Sequence, residues 1–259
     1  MPGILLRIPY IQNKVSEVAT TQLSGHLGVP VKIGNVDIEW FNRLVLEGLY
    51  LEDQDGKVMF EANHVAAGFE IMPLLEGKFV FTTVRLFGFS FNLRKHTPQS
   101  PLNLQFVIDA FASKDSIKKE KNIDLRFNSI MIRRGNFSYN VDSEKETPGK
   151  FNAKHIDIKN LSAKISLKAF NKDSVNAHIK KMSFDEASGF SLNKLSLNVV
   201  GNRDSAFVQD FEVRLPQTDL KIGRARIDLS EIDSLPALLN NAPIDLNITP
   251  SQICLKDLS

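Results

Sequence analysis

Phe79-Val-Phe-Thr-Thr-Val-Arg-Leu-Phe-Gly-Phe-Ser-Phe-Asn-Leu-Arg-Lys95 is the stretch whose reading decides the fold. Its odd positions are Phe79, Phe81, Thr83, Arg85, Phe87, Phe89, Phe91 and Leu93. Side chains two apart point to one face of a strand, so strict alternation predicts a single face rich in aromatic rings. The other parity begins apolar at Val80, Val84 and Leu86 and turns polar at Ser90, Asn92 and Arg94. A strand this one-sided needs something over its apolar face.

Upstream, Ile11, Val15, Val18, Ala19, Leu23 and Leu27 recur at helical spacing, with Gly28 at the capping position and Pro30 beyond it. From Val31 the period becomes two. Val36, Ile38 and Trp40 share a parity, as do Leu44 and Leu46; past Glu47-Gly48 the apolar residues Leu49 and Leu51 take the opposite parity. A glycine at such a slip predicts a β-bulge. Asp55-Gly56 predicts a hairpin turn.

Downstream, residues 96–101 read as a loop, Leu104, Val107, Ile108 and Phe111 as a short helix, and Ser113 to Asn122 as a lysine-rich solvated segment. Strands follow to the end, broken by a short helical stretch from Ser230 to Asn240. Most change phase midway: Ile158 to Leu161, Ile179 to Met182, Leu192 to Leu195, Ile222 to Ile227. The chain therefore reads as mainly β, an elongated antiparallel meander with one wet and one apolar face, an N-terminal amphipathic helix and one or two short helices. Residues 1–28 form a membrane-proximal segment and helix; residues 29–259 form the β region, with a possible subdivision near 96–122.

Composition narrows the function classes. The 259 residues carry 32 basic and 30 acidic side chains, a balance that offers no basic stripe for nucleic acid. There are 18 Phe against 3 Tyr and 1 Trp, which suits a dry surface better than a protein–protein hot spot. The lone cysteine, Cys254, excludes an internal disulfide. No apolar run reaches the 18 or so residues of a membrane-spanning helix. Ile4, Leu5, Leu6 and Ile8 surround Arg7 and Pro9, and read either as a hydrophobic staple or as the last turn of a membrane anchor.

The residues of chemistry are dispersed. His26, His64, His96, His155 and His178 show no metal-ligand spacing, and no glycine-rich phosphate loop or nucleophile elbow is present. The acidic residues of Asp53-Gln-Asp and Asp210-Phe-Glu alternate with polar or apolar neighbours and read as surface. The expectation is a non-enzymatic protein without cofactor or metal.

Three phrases carry a resemblance: Leu5-Leu-Arg-Ile-Pro-Tyr-Ile-Gln-Asn-Lys-Val, Leu27-Gly-Val-Pro-Val-Lys-Ile-Gly, and Val36-Asp-Ile-Glu-Trp-Phe with Leu44-Val-Leu-Glu-Gly-Leu-Tyr-Leu-Glu-Asp. Together they resemble the amino-terminal region of TamB-like proteins, within the AsmA-like group of Gram-negative envelope proteins, and most of all the Bacteroidota branch. Later strands such as Ile156-Asp-Ile-Lys-Asn-Leu-Ser look like the group's strand phrases. The resemblance implies a curved β-groove in the periplasm, anchored in the inner membrane and lined with apolar side chains. It implies phospholipid acyl chains as cargo, and a role in lipid transport between the two membranes, in outer-membrane protein assembly and secretion, or in both. An outer-membrane barrel assembly protein is the implied partner, reached through a carboxy-terminal region that this sequence does not contain. The sequence is thus expected to be an amino-terminal fragment of a longer protein. Residues expected to line the groove are Phe79, Phe81, Phe89, Phe91, Leu125, Phe127, Ile158, Leu197 and Val213. The alternative is a structural β-sandwich module that binds a protein partner.

Overall fold

The computed structural model of the chain describes residues 17, 20–39, 42–72, 79–111, 123–170, 174–202, 204–228 and 244–258. Ile4, Leu5, Leu6, Ile8, the first turns of the expected N-terminal helix (Ile11, Val15, Val18, Ala19), Trp40, the lysine-rich segment up to Asn122 and the stretch 230–240 lie outside them.

The strands are β1 (Val31–Lys32), β2 (Asn35–Glu39), β3 (Arg43–Glu52), β4 (Val58–Phe69), β5 (Phe79–Lys95), β6 (Ile123–Val141), β7 (His155–Phe170), β8 (Ser174–Glu186), β9 (Ser191–Asn202), β10 (Ser205–Arg214), β11 (Asp219–Asp228) and β12 (Ile244–Ile248). Helix among the described residues includes α1 over residues 20–27, α2 over Gln105–Phe111 and the single 3-10 turn Leu255–Leu258. The strands follow one hydrogen-bonded path, β1-β3-β4-β5-β6-β7-β8-β9-β10-β11-β12, with β2 also pairing with β3. β1 and β12 are not partners, so the sheet is open, and the chain is mainly β as its alternation predicts.

One connection departs from the antiparallel meander. Phe91 meets Phe137 edge-on at 6.2 Å, Ser138 Oγ donates to Asn92 Oδ1 at 2.8 Å, and the Asp142 amide donates to the Lys95 carbonyl at 2.9 Å. Rising positions on β5 meet rising positions on its neighbour β6, so these two strands run parallel. A parallel pair requires a crossover of a dozen or more residues, and residues 96–122 with α2 supply it. The helix was legible at 102–111; the reversal of direction was not, because side-chain alternation is the same in parallel and antiparallel strands.

The chain divides into two compact units, residues 1–127, 132–161 and 186–188 in the first, and 128–131, 162–185 and 189–259 in the second. In the first unit, Val31, Ile33 and Val36 are each less than a tenth exposed, and Leu23 and Leu27 of α1 pack against them together with Leu44, Leu46, Leu49 and Leu51 of β3. α1 therefore seals the apolar face of β1–β3. His26 Nε2 lies 2.9 Å from the Ala110 carbonyl, which ties α1 to the last turn of α2 and puts the crossover on that same face.

Candidate functional site

The site is the apolar face itself, and what makes it continuous is a row of backbone kinks. Leu44 and Leu46 have even numbers, Leu49 and Leu51 odd, yet all four pack on one cluster. Between them sits Gly48, in the left-handed region at φ 62°. Pairing with β4 keeps one register across it, Glu47 opposite His64 and Leu49 opposite Ala62. The expected bulge at Gly48 is therefore absent from this pairing. No extra residue is needed, because the neighbouring strands change phase at the same level. β1 and β2 keep one register on β3 across the gap that contains Gly34, Asn63 faces Gly48 on β4, and Gly88 follows on β5 at φ 59°. Arg134 (φ 52°) and Asn160 (φ 56°) bring the same conformation to β6 and β7. Asparagine tolerates this region; an arginine there costs about 1–2 kcal/mol.

With the phase change shared, transverse rows of apolar residues stay on one face: Leu51–Phe60–Phe91, Leu49–Ala62–Phe89, Leu46–Val65–Leu86 and Leu44–Ala67–Val84. The rings of Phe60 and Phe89 stack at 6.1 Å, and Phe60 meets Phe91 edge-on at 5.7 Å. Phe89 also lies against Gly135, whose missing side chain leaves room for the ring. This corrects the single aromatic wall expected from odd parity. Phe87 is turned to the opposite, wet face by the Gly88 kink; it is 39% exposed, and the Arg134 guanidinium lies 5.4 Å from its ring centroid. Phe81 keeps its place by a second phase change: the register shifts between Gly68 and Phe69, and Phe81 pairs with Phe69 at 6.4 Å between rings.

Among the other expected lining residues, Ile158 alternates with Asp157. Asp157 lies on the wet side with His155, whose Nδ1 is 3.1 Å from Asn140 Oδ1, so Ile158 falls on the apolar face. The side chains of Phe79, Leu125 and Phe127 lie outside the described residues.

In the second unit, Leu197 pairs with Ile179 and Val213 pairs with Leu195, which puts both expected residues on one face of β8–β10. Here phase changes do cost an extra residue. Lys180 and Lys181 on one side of β9, and Asp210 (φ 52°) with Phe211 on the other, bulge around Leu197 and Ser196. Leu195, Leu197, Val199, Val208 and Val213 are all half-buried. The second unit's described residues contain no helix beyond the single turn Leu255–Leu258.

The wet face holds a polar hub that sequence reasoning missed. Asp53, read as surface, is only 2% exposed. Its Oδ1 accepts the amides of Asp55 and Lys57 at 3.0 Å each. Its Oδ2 accepts Arg94 Nη2 at 2.9 Å and Asn103 Nδ2 at 3.1 Å. Burial pushes the Asp53 carboxyl up, but hydrogen bonds from Asn103, the Lys57 amide and Arg94 outweigh it and hold the group below the ordinary 3.8. Arg94 also reaches Asp55 and Asp142. The hub thus joins the β3–β4 hairpin, the start of the crossover and the end of β6. Glu186 is a second such carboxylate: burial raises its pKa, and hydrogen bonds from Ser188 and the Asp157 and Ala187 backbone lower it overall. Glu212 is likewise no free surface acid, since Lys194 and Arg214 reach it at 2.5 and 2.6 Å. The signal for the hub was present in Asp53-Gln-Asp-Gly, an Asx-turn sequence, and in an arginine on the otherwise polar parity of β5.

Among the described residues no group of three His, Cys, Asp or Glu could hold a metal ion, and no helix is long and apolar enough to cross a membrane. No protein-family model matches the sequence, and no curated protein sequence matches it.

Proposed function

We propose that this chain is a non-enzymatic lipid-handling segment of a Gram-negative envelope protein of the TamB-like, AsmA-like kind. One observation carries the reading. In each unit, strands whose sequences change phase keep their apolar residues on a single face, either by aligned left-handed residues or by bulges. Maintaining that face costs backbone strain at Arg134, Asn160 and Asp210, and in the second unit the face stays half-buried rather than sealed. Acyl chains would remove such a surface from water without any need for jigsaw complementarity. The chemistry is solvation alone: side chains such as Phe91, Leu197 and Val213 contact the tails, and no bond is made or broken.

On this reading the protein works in the periplasm, tethered to the inner membrane, and takes part in phospholipid transport to the outer membrane, in outer-membrane protein assembly beside a barrel partner, or in both. The sandwich alternative has less support, because the described strands follow one hydrogen-bonded path.

The experiment is solvent extraction and mass spectrometry of protein purified in mild detergent and then freed of it. Phospholipid is expected to remain with wild type and to fall at least severalfold in Leu197→Asp, with far-UV circular dichroism retained. Wild-type protein free of phospholipid would overturn the proposal.

A further inference from the structure

On the wet face of the second unit, β10 and β11 carry an arrangement that the apolar face does not use. Phe207 stands opposite Arg226 and Gln209 opposite Arg224. Both guanidiniums lie over the one ring, Arg224 Cζ at 4.7 Å and Arg226 Cζ at 5.9 Å from its centroid. Ring faces attract cations, and stacking uses the flat side of a guanidinium while leaving its N–H edge free.

Several neighbouring charges on these strands are paired, and Asp210 accepts a hydrogen bond from Asn198. Lys194 and Arg214 pair with Glu212, and Lys221 pairs with Asp219. Arg224 and Arg226 take part in no ion pair among the described residues, and both are exposed. Arg224 has neutral hydrogen-bonding neighbours on both sides, Gln209 and Asn247, whereas Arg226 stands between Phe207 and the exposed carboxylate of Asp245. Two like charges gathered on one ring repel each other, and an anion bridging them would relieve that repulsion.

We infer that Arg224, Phe207 and Arg226 form a binding site for a phosphate ester. Two planar forks presented side by side match the oxygens of a phosphate group better than lysines could, since each fork can donate two parallel hydrogen bonds. The anion would sit against the N–H edges toward Arg224, with Gln209 and Asn247 beside it and Asp245 on the far side of Arg226. The same chemistry serves a lipid headgroup at a vesicle surface and a free phosphate. The inference stands apart from the acyl-chain reading, because the site is on the opposite face of the sheet.

The test is co-sedimentation with phosphatidylcholine vesicles with and without phosphatidic acid, run beside equilibrium dialysis against inorganic phosphate alone. Three proteins are compared: wild type, Arg224→Gln/Arg226→Gln, and the charge-matched control Lys180→Gln/Lys181→Gln. Wild type and the lysine control are expected to bind phosphate, and the arginine variant to bind at least tenfold more weakly. Binding to phosphatidic acid vesicles that inorganic phosphate competes away would identify a headgroup; binding to inorganic phosphate alone would identify a soluble ester, and either supports the site. Equal loss in the two double variants would reduce the effect to net charge and overturn it, as would absence of binding in wild type. Arg226→Gln alone, with a smaller loss, serves if the double variant does not fold. Phospholipid extracted from the apolar face should be unchanged in all the arginine variants.

Discussion

Gly135→Ala tests how tightly the aromatic row is built. A Cβ at residue 135 would fall on Phe89, against Cε1 and Cζ and with Cδ1 at 3.1 Å, so the ring must move. Phe89 is 6% exposed and stacks on Phe60, which leaves it little room. Residue 135 is not among those with positive φ, so the substitution brings no backbone strain and its cost is steric. Overpacking of this kind costs about 1–3 kcal/mol. The check is a double-mutant cycle with Phe89→Leu, measured by urea unfolding. Leucine lacks the ring atoms that the new methyl would strike. The double variant should therefore be more stable than the sum of the single losses by about 1–2 kcal/mol. Additive losses would show that Phe89 does not lie on Gly135, and would refute the packing argued for β5 and β6.

Further outcomes follow from the kinks and the hub. Arg134→Ala should destabilise more than Arg134→Gly by about 1–2 kcal/mol, because both lose the contact with Phe87 and only glycine escapes the left-handed penalty; equal values in thermal unfolding would remove the kink from the account. Gly88→Ala should lose about 1–2 kcal/mol from its φ of 59°, with more from the Asn63 amide 2.6 Å from the new Cβ; a neutral result would contradict the conformation. Asp53→Ala should cost about 1–3 kcal/mol, since it leaves the Asp55 and Lys57 amides and the Asn103 side chain without their acceptor while Arg94 keeps Asp55 and Asp142. The Asp53 carboxyl is depressed in the folded state, so its contribution is full above the ordinary 3.8 and is lost as pH falls through the lower folded value. Wild type should accordingly lose stability below about pH 4 more steeply than Asp53→Asn, in urea unfolding followed across pH.

The sequence made much of this legible and concealed the rest for physical reasons. The phase slips at Gly48 and from Ile179 to Met182 are real, because apolar residues must stay on one face whatever the numbering does. What alternation could not show is how a slip is accommodated, by left-handed residues in β3, β5 and β6 or by bulges in β8 and β10. Strand pairing decides that, and pairing is not written along a single strand. Phe87 was misplaced because aromatic residues on one parity look continuous until the glycine between Phe87 and Phe89 adopts a positive φ. Asp53 was missed because an acidic residue in a turn is usually solvated; its burial comes from Arg94 and Asn103, distant in sequence.

The central claim is that the apolar face holds acyl chains while the other face is wet, and adjacent positions on β9 test it most directly. A photocrosslinking residue at Leu197, on the apolar face opposite Ile179, should capture phospholipid. The same residue at Asn198, whose amide reaches Asp210 on the wet side at 2.8 Å, should capture none. Equal lipid capture at the two positions, or none at either, would contradict the account.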